Sequence, residues 1–531
     1  MRQVYSPLPG TFTFTVLTLA AVLMNTPSTA QFGDLDDSFS SDGKVTYGSN
    51  GFNERGYAAT LRSEDGTIWA VGTSYGSVLG IPSRLVKISD AGAVMNTTQV
   101  NAGGTGSETK LYAVKELQNG RMITAGEVIS GSSFDFAVCS FTSGLNPDLL
   151  FGIGGTGCVT TTIGSGNSKA WDVAELSGGD LVVAGYYEST DGLLYTALAK
   201  YYSSGFLDSD FGNDGITLDA WIMNEETFAH AVAVQPNGRI VVAGTTVAAN
   251  GSAAIAITRF YPDGSLDPTF SGGGRVAVYM NGGTLNNGWD VALQPDGKIL
   301  VCGFAEIDGV QQPALLRLNA DGQNDTGFGG GDGHVVVSAP GGSGGYYSVA
   351  LQPDGKIICA GYNVAGTEDF LISRFLPNGQ LDQAWGWNGH VIGQFSSADE
   401  RARSIEFLPD NKLLVGGHAT IDGDLRFAVA RYLVNDIVGV LELGIADQGV
   451  LVYPNPIRDE TVFTYTLGKQ ELLTVQLQDL QGRTLSTFLN DKNMPAGEHT
   501  QAISLPAGLA AGNYLLVFSS PNGRMSIQLT K

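Results

Sequence analysis

A chain of 531 residues with 43% hydrophobic and 15% charged residues is too long for one core and too apolar to be disordered throughout. Its 52 acidic against 29 basic residues leave a formal charge of −23, and no basic run offsets it, which excludes a nucleic-acid partner. Five histidines, none at a metal-ligand spacing, give no basis for a metal centre or a cofactor.

The first element in chain order is a secretory signal. Arg2 supplies the positive start, TFTFTVLTLAAVLM (11–24) the apolar run, and STA (28–30) a small-residue cleavage site. The run is shorter than the ~20 residues a spanning helix needs, so the mature chain is expected to start near Gln31 without a transmembrane segment. DLDDSFSSDG (34–43) gathers carboxylates but lacks the spacing of a calcium loop, and its aspartates are expected to bond their own turns.

From there the sequence repeats. LQPDGKILVCG (293–303) returns as LQPDGKIICAG (351–361), and with five weaker copies the seven turn residues fall at Gly66, Gly120, Gly179, Gly238, Gly297, Gly355 and Asn411. Each copy has an apolar stretch, a PDG- or PNG-like turn and a second apolar stretch, the signature of a β-hairpin. A third strand such as AIAITRF (254–260) and a fourth within SLDPTFSGGGRVAV (265–278) follow. No sustained helical period interrupts them. Four short strands repeated seven times predict an all-β, seven-bladed β-propeller over 31–437. The pattern L-D-x-x-F-G-x-x-G-x-V followed by L-Q-P-D-G-K-I-x-x-x-G resembles the delta-60 repeat family, which implies the same architecture and little chemistry.

Two constellations ride on the repeat. Eight residues before the turn residue lie Tyr112, Trp171, His230, Trp289, Tyr347 and Arg403, with Tyr57 nine before; Asp172 and Asp290 follow the tryptophans. At one radius, these planar and acidic groups would suit a sugar or a peptide end. The plainer alternative is packing between blades. The second constellation is a base closing the third strand, with Asp eight positions on: Lys200 with Asp208, Arg259 with Asp267, Arg317 with Asp325, Arg374 with Asp382. Arg431 has no downstream Asp, and Asp36 has no upstream base. Pairing them predicts that the N-terminal segment completes the last blade.

Other chemistry is sparse. His334 and His390 share a repeat slot with Lys44, Cys158, Ile216 and Arg275, a mixture expected of a surface strand position. Cys302 and Cys359 sit in apolar strands and read as buried thiols, while spacing alone does not fix a Cys139–Cys158 bridge. No GxSxG elbow or Cys/His pair marks a catalytic site.

After a connector (438–449), residues 450–531 alternate apolar and polar between Asn-Pro, Gln-Gly and Asn-Gly turns, predicting a small β-sandwich. Its motifs VYPNP (452–456), LQGR (480–483), GNYLL (512–516) and the final Lys531 resemble the type IX secretion sorting domain of gram-negative bacteria. That resemblance implies a partner, the export machinery, and a secreted or cell-surface location. The expected role is therefore a non-catalytic binding, adhesion or scaffold module with a glycan or protein ligand. The competing expectation is an extracellular lyase or glycosidase on the same scaffold, and fold alone does not choose.

Overall fold

The computed structural model describes residues 33–49, 51–75, 83–104, 106–152, 154–221 and 225–434. In the tail it describes 451–453, 461–467, 470–478, 483–503, 505–506, 509, 512–520 and 523–531. The signal-segment and connector readings lie outside these residues.

Residues 44–433 form seven four-stranded antiparallel sheets, as the repeat predicts. Blades 1 to 6 are consecutive in sequence. Blade 5, for example, is Asn286–Leu293, Ile299–Ile307, Val310–Leu318 and His334–Val336. Its first two strands are the hairpin of the repeated phrase, and Gly297 at the turn has φ +86°. In blade 7 the same place is held by Asn411, a non-glycine residue at φ 61° that its short polar side chain tolerates. Blade 7 contributes three strands, Glu400–Phe407, Lys412–Ile421 and Asp424–Leu433. Its fourth is the N-terminal Lys44–Tyr47, in register as Lys44↔Ala430 through Tyr47↔Phe427. Apolar clusters run between neighbouring blades, so each sheet buries its faces only against the next.

The LDxxF element explains how neighbours lock. In blade 4, Arg259 Nε donates to Asp267 Oδ2 at 2.7 Å, and the guanidinium lies 4.6 Å from the Phe270 ring centroid. Another Arg259 nitrogen donates to the Ala320 carbonyl of blade 5. Phe270 packs beneath Gly322 (φ +88°), where an added Cβ would meet the ring at 2.7 Å, so that turn requires glycine. The unit recurs as Arg317–Asp325 (2.7 Å) over Phe328 and Arg374–Asp382 (2.8 Å) over Trp385. Lys200–Asp208 (2.7 Å) holds the same place in blade 3. At the closure, Arg431 Nε donates to Asp36 Oδ2 at 2.6 Å across 395 positions of sequence, above the Phe39 ring. Blade 1 has no LDxxF, and Lys87 pairs instead with Asp65 at 2.8 Å.

Two expectations need correction. Cys139 and Cys158 form a disulfide. They stand opposite one another on the third and fourth strands of blade 2, a register that sequence separation does not reveal. His390 is buried rather than at the surface, with Nδ1 2.8 Å from Ser373 Oγ. His334 in the same slot is only half-buried.

The tail has a three-stranded sheet (Leu451–Tyr453, Thr461–Leu467, Gly497–Ile503) and a four-stranded one (Thr484–Met494, Glu471–Gln478, Asn513–Ser520, Gly523–Thr530). Phe463 and Tyr465 of the first share one apolar cluster with Val475, Leu516 and Phe518 of the second, the arrangement of a small sandwich.

Candidate functional site

The innermost strand of every blade carries a one-residue bulge, and the bulged residue is the one singled out by sequence spacing. The ladder skips from Gly56 to Ala58, Leu111 to Ala113, Ala170 to Asp172, Ala229 to Ala231, Gly288 to Asp290, Tyr346 to Ser348 and Ala402 to Ser404. The skipped residues are Tyr57, Tyr112, Trp171, His230, Trp289, Tyr347 and Arg403. A bulge bends the strand and re-aims the extra side chain, here at one level of the central channel. The glycine closing each repeated phrase stands opposite. A Cβ at Gly303 would overlap the Asn287 carbonyl oxygen, and Gly126, Gly185, Gly244 and Gly361 meet the equivalent carbonyl in their own blades.

These side chains form a closed ring. Tyr57 and Tyr112 meet edge to face at 4.9 Å, Tyr112 lies 4.7 Å from Trp171, and Trp171 lies 5.6 Å from His230. His230 stacks on Trp289 at 4.1 Å, and Trp289 meets Tyr347 at 5.1 Å. The Arg403 guanidinium closes the circuit, 3.9 Å from the Tyr347 centroid and 5.6 Å from that of Tyr57. The ring and inter-blade packing are therefore one feature: each group touches its neighbours and faces the channel. His230 is held neutral, its pKa pushed down by burial to about 4, and Nδ1–H donates to the Gly288 carbonyl at 2.7 Å.

On the downstream side of the ring lies a cavity of about 500 Å³, walled by the residues that follow each bulge. Asp172 accepts from Val232 N–H of the next blade at 3.0 Å and pairs with Lys115 of the preceding blade at 2.9 Å. Asp290 accepts from Ser348 Oγ (2.7 Å) and Val349 N–H (2.9 Å), and burial pushes its carboxyl up. Ser404 Oγ accepts from Ala59 N–H at 2.9 Å. The position after the bulge thus ties consecutive innermost strands together, and the two aspartates are engaged in that work. Glu406, whose pKa burial raises, accepts from Leu61 N–H at 2.9 Å.

On the upstream side, two residues before the bulge, stand four cations on adjacent blades: Arg401, Arg55, Lys110 and Lys169. Lys169 Nζ lies 4.7 Å from the Tyr112 centroid and 4.8 Å from that of Trp171. Lys110 and Lys169 share Glu127 at 3.9 and 3.7 Å, and Arg401 pairs with Glu368. The corresponding positions in blades 4 to 6 are Phe228, Asn287 and Gly345. Sequence reasoning missed this arc, although counting two residues back from the ring finds it.

Among the described residues no group of His, Cys, Asp and Glu could hold a metal ion, and Asp36 of the acidic 34–43 segment is occupied by Arg431 and Lys412. No helix among them is long and apolar enough to cross a membrane.

Residues 235–270, 294–328, 352–384 and 408–436 match a domain of unknown function (DUF5122) described as a beta-propeller, and 451–530 match a secretion system C-terminal sorting domain. No curated protein matches by sequence. Among solved structures, the chain is similar to a protein of unknown function from Dyadobacter fermentans at 12% identity and TM-score 0.42, covering 74% of this chain and 98% of that one. It is similar to PorZ, a surface component of the type-IX secretion system of Porphyromonas gingivalis, at 12% identity and TM-score 0.29, covering 87% and 68%. It is also similar to polysaccharide lyase Uly1 at 10% identity and TM-score 0.41, covering 72% and 90%. Blades 4 to 7 carry DUF5122 beta-propeller repeats and the tail carries a type IX sorting domain, which indicates a secreted or cell-surface protein.

Proposed function

We propose that the chain is a non-catalytic binding module of the bacterial cell surface, delivered by its sorting domain, whose propeller of the delta-60 kind receives a glycan on the planar ring. The observation that carries this is the convergence of seven bulged residues, six of them aromatic or imidazole, on the floor of one cavity. Planar faces beside a few fixed polar groups are what a pyranose ring packs against. A binding role rather than hydrolysis is supported by the state of the carboxylates. Glycoside hydrolysis needs two of them flanking a bond, whereas Asp172 and Asp290 are each engaged by backbone N–H groups of the next blade. Probing a glycan array with the exported chain tests the reading. Selective hits competed by the free sugar are expected; an array without hits, beside capture of a defined protein ligand, would replace it.

A further inference from the structure

The cavity against the planar ring is closed at its inner end. Among the described residues, every one that lines it stands at the bulge of its blade or after it, and none before. The ring members touch around the whole circuit, with centre-to-centre separations from 3.9 to 5.6 Å. Trp171 and Trp289, two blades apart, also meet edge to face at 6.1 Å, so the circuit is pinched across His230. Planar groups packed against both neighbours leave no passage for a hexose between them. On the far side of the ring, Lys169 lies over Tyr112 and Trp171 at 4.7 and 4.8 Å.

The walls are uneven. Blades 1 and 2 line the cavity for four residues beyond the bulge, to Leu61 and Glu116, whereas blades 3, 4 and 5 line it for one. Four residues of extended strand span about 13 Å, so the space is a slanted pocket that runs from the ring along blades 1 and 2. Lys115 and Glu116 stand at its outer end, where the Lys115 side chain is 43% exposed.

We propose that this cavity takes the end of a glycan chain and does not recognise interior units. The inference rests on the glycan reading above and narrows it to chain termini. A chain held by its interior units continues in both directions, so it needs an open groove or a through-channel. Here a unit seated on the ring is stopped by it, and the rest of the chain leaves by the way it entered, past Lys115 and Glu116. Doubling the chain back on itself would put two strands of it into about 500 Å³. A terminal unit alone lays one face on the ring while its hydroxyls reach the polar groups of the wall.

The test is isothermal titration of the full exported chain with the strongest-binding unbranched glycan of the array, supplied as a size-fractionated series from tetramer to polymer. One protein should bind per chain at every length, so that capacity per gram falls in proportion to chain length. Capping the reducing and the non-reducing ends separately should abolish binding for one of them and leave it for the other. Tryptophan emission should shift on binding, and by the same amount for tetramer and polymer, because each seats one unit against Trp171 and Trp289. A stoichiometry that rises with chain length, binding that survives both caps, or an unchanged emission would overturn the proposal and leave the glycan reading standing. An array without hits would remove both.

Discussion

Replacing Asp36 with alanine removes a carboxylate on which four donors converge: Arg431 Nε at 2.6 Å, Ser38 Oγ at 2.6 Å, Ser38 N–H at 3.1 Å and Lys412 Nζ at 3.2 Å. Arg431 is 1% exposed, so its guanidinium is left with Ser38 Oγ, the exposed Asp90 side chain and the Asp90 carbonyl. Breaking a buried pair by removing one partner costs about 3–5 kcal/mol, and Asp90 brings the expected loss to the lower end, about 3 kcal/mol. Asp267→Ala is the control, because Asp267 makes the same pair with Arg259 within one blade. Urea unfolding should show comparable losses for the two variants. Hydrogen exchange should separate them: only Asp36→Ala should release the amides of residues 44–47 together with those of 427–430, to which they are laddered. A loss below about 1 kcal/mol with residues 44–47 still protected would refute the reasoning.

Gly303→Ala should cost about 3 kcal/mol and alter the near-ultraviolet dichroism of Trp289, because the new methyl overlaps the Asn287 carbonyl. Gly273→Ala, which meets nothing within 4 Å, should stay within about 0.5 kcal/mol. Acid should unfold the ring over a defined range. Burial alone would raise the Asp36 and Asp267 carboxyls, but hydrogen bonds from neighbouring hydroxyl, amide and cationic groups outweigh it and hold both at about 2. A carboxyl depressed on folding stabilises above its unfolded pKa of about 3.9, so the stability these two aspartates supply, read as the difference in thermal melts between the protein and its Asp36→Asn and Asp267→Asn variants, should be constant from neutral pH to about 5 and vanish from about 4 towards 2. Thiol counting on the unreduced, denatured chain should find two free cysteines, Cys302 and Cys359. Reduction of Cys139–Cys158 should cost about 3 kcal/mol, the loop-closure value for a separation of 19; four titratable thiols before reduction would contradict the bridge.

Much of this was readable in the residues because a repeat repeats its reasons. The closing glycine of the phrase, the planar residue eight before the turn and the base eight before an aspartate each recur because one blade geometry demands them. The mismatch at the two ends, Arg431 without an aspartate and Asp36 without a base, therefore carried the closure. What broke the repeat was not readable. The Cys139–Cys158 bridge depends on the register of two strands across a loop, and Lys87 turned to Asp65 because blade 1 has no LDxxF. The basic arc was missed because it sits two residues before the planar ring: Arg55, Lys110 and Lys169 hold that position in consecutive blades, and Arg401 joins them only when blade 7 meets blade 1. The buried His390 shows the limit of position-by-position comparison, since His334 in the same slot is half-exposed.

The most direct test of the central claim, that the ring is a ligand floor and not only packing, is an equilibrium binding measurement on Trp171→Ala with Trp289→Ala. The ligand is whichever glycan the array returns, and unfolding is measured in parallel. Both tryptophans are only half-buried, so binding should be abolished while the stability loss stays below the roughly 3–5 kcal/mol typical of truncating one fully buried aromatic. Retained affinity, together with a loss of several kcal/mol, would contradict the account.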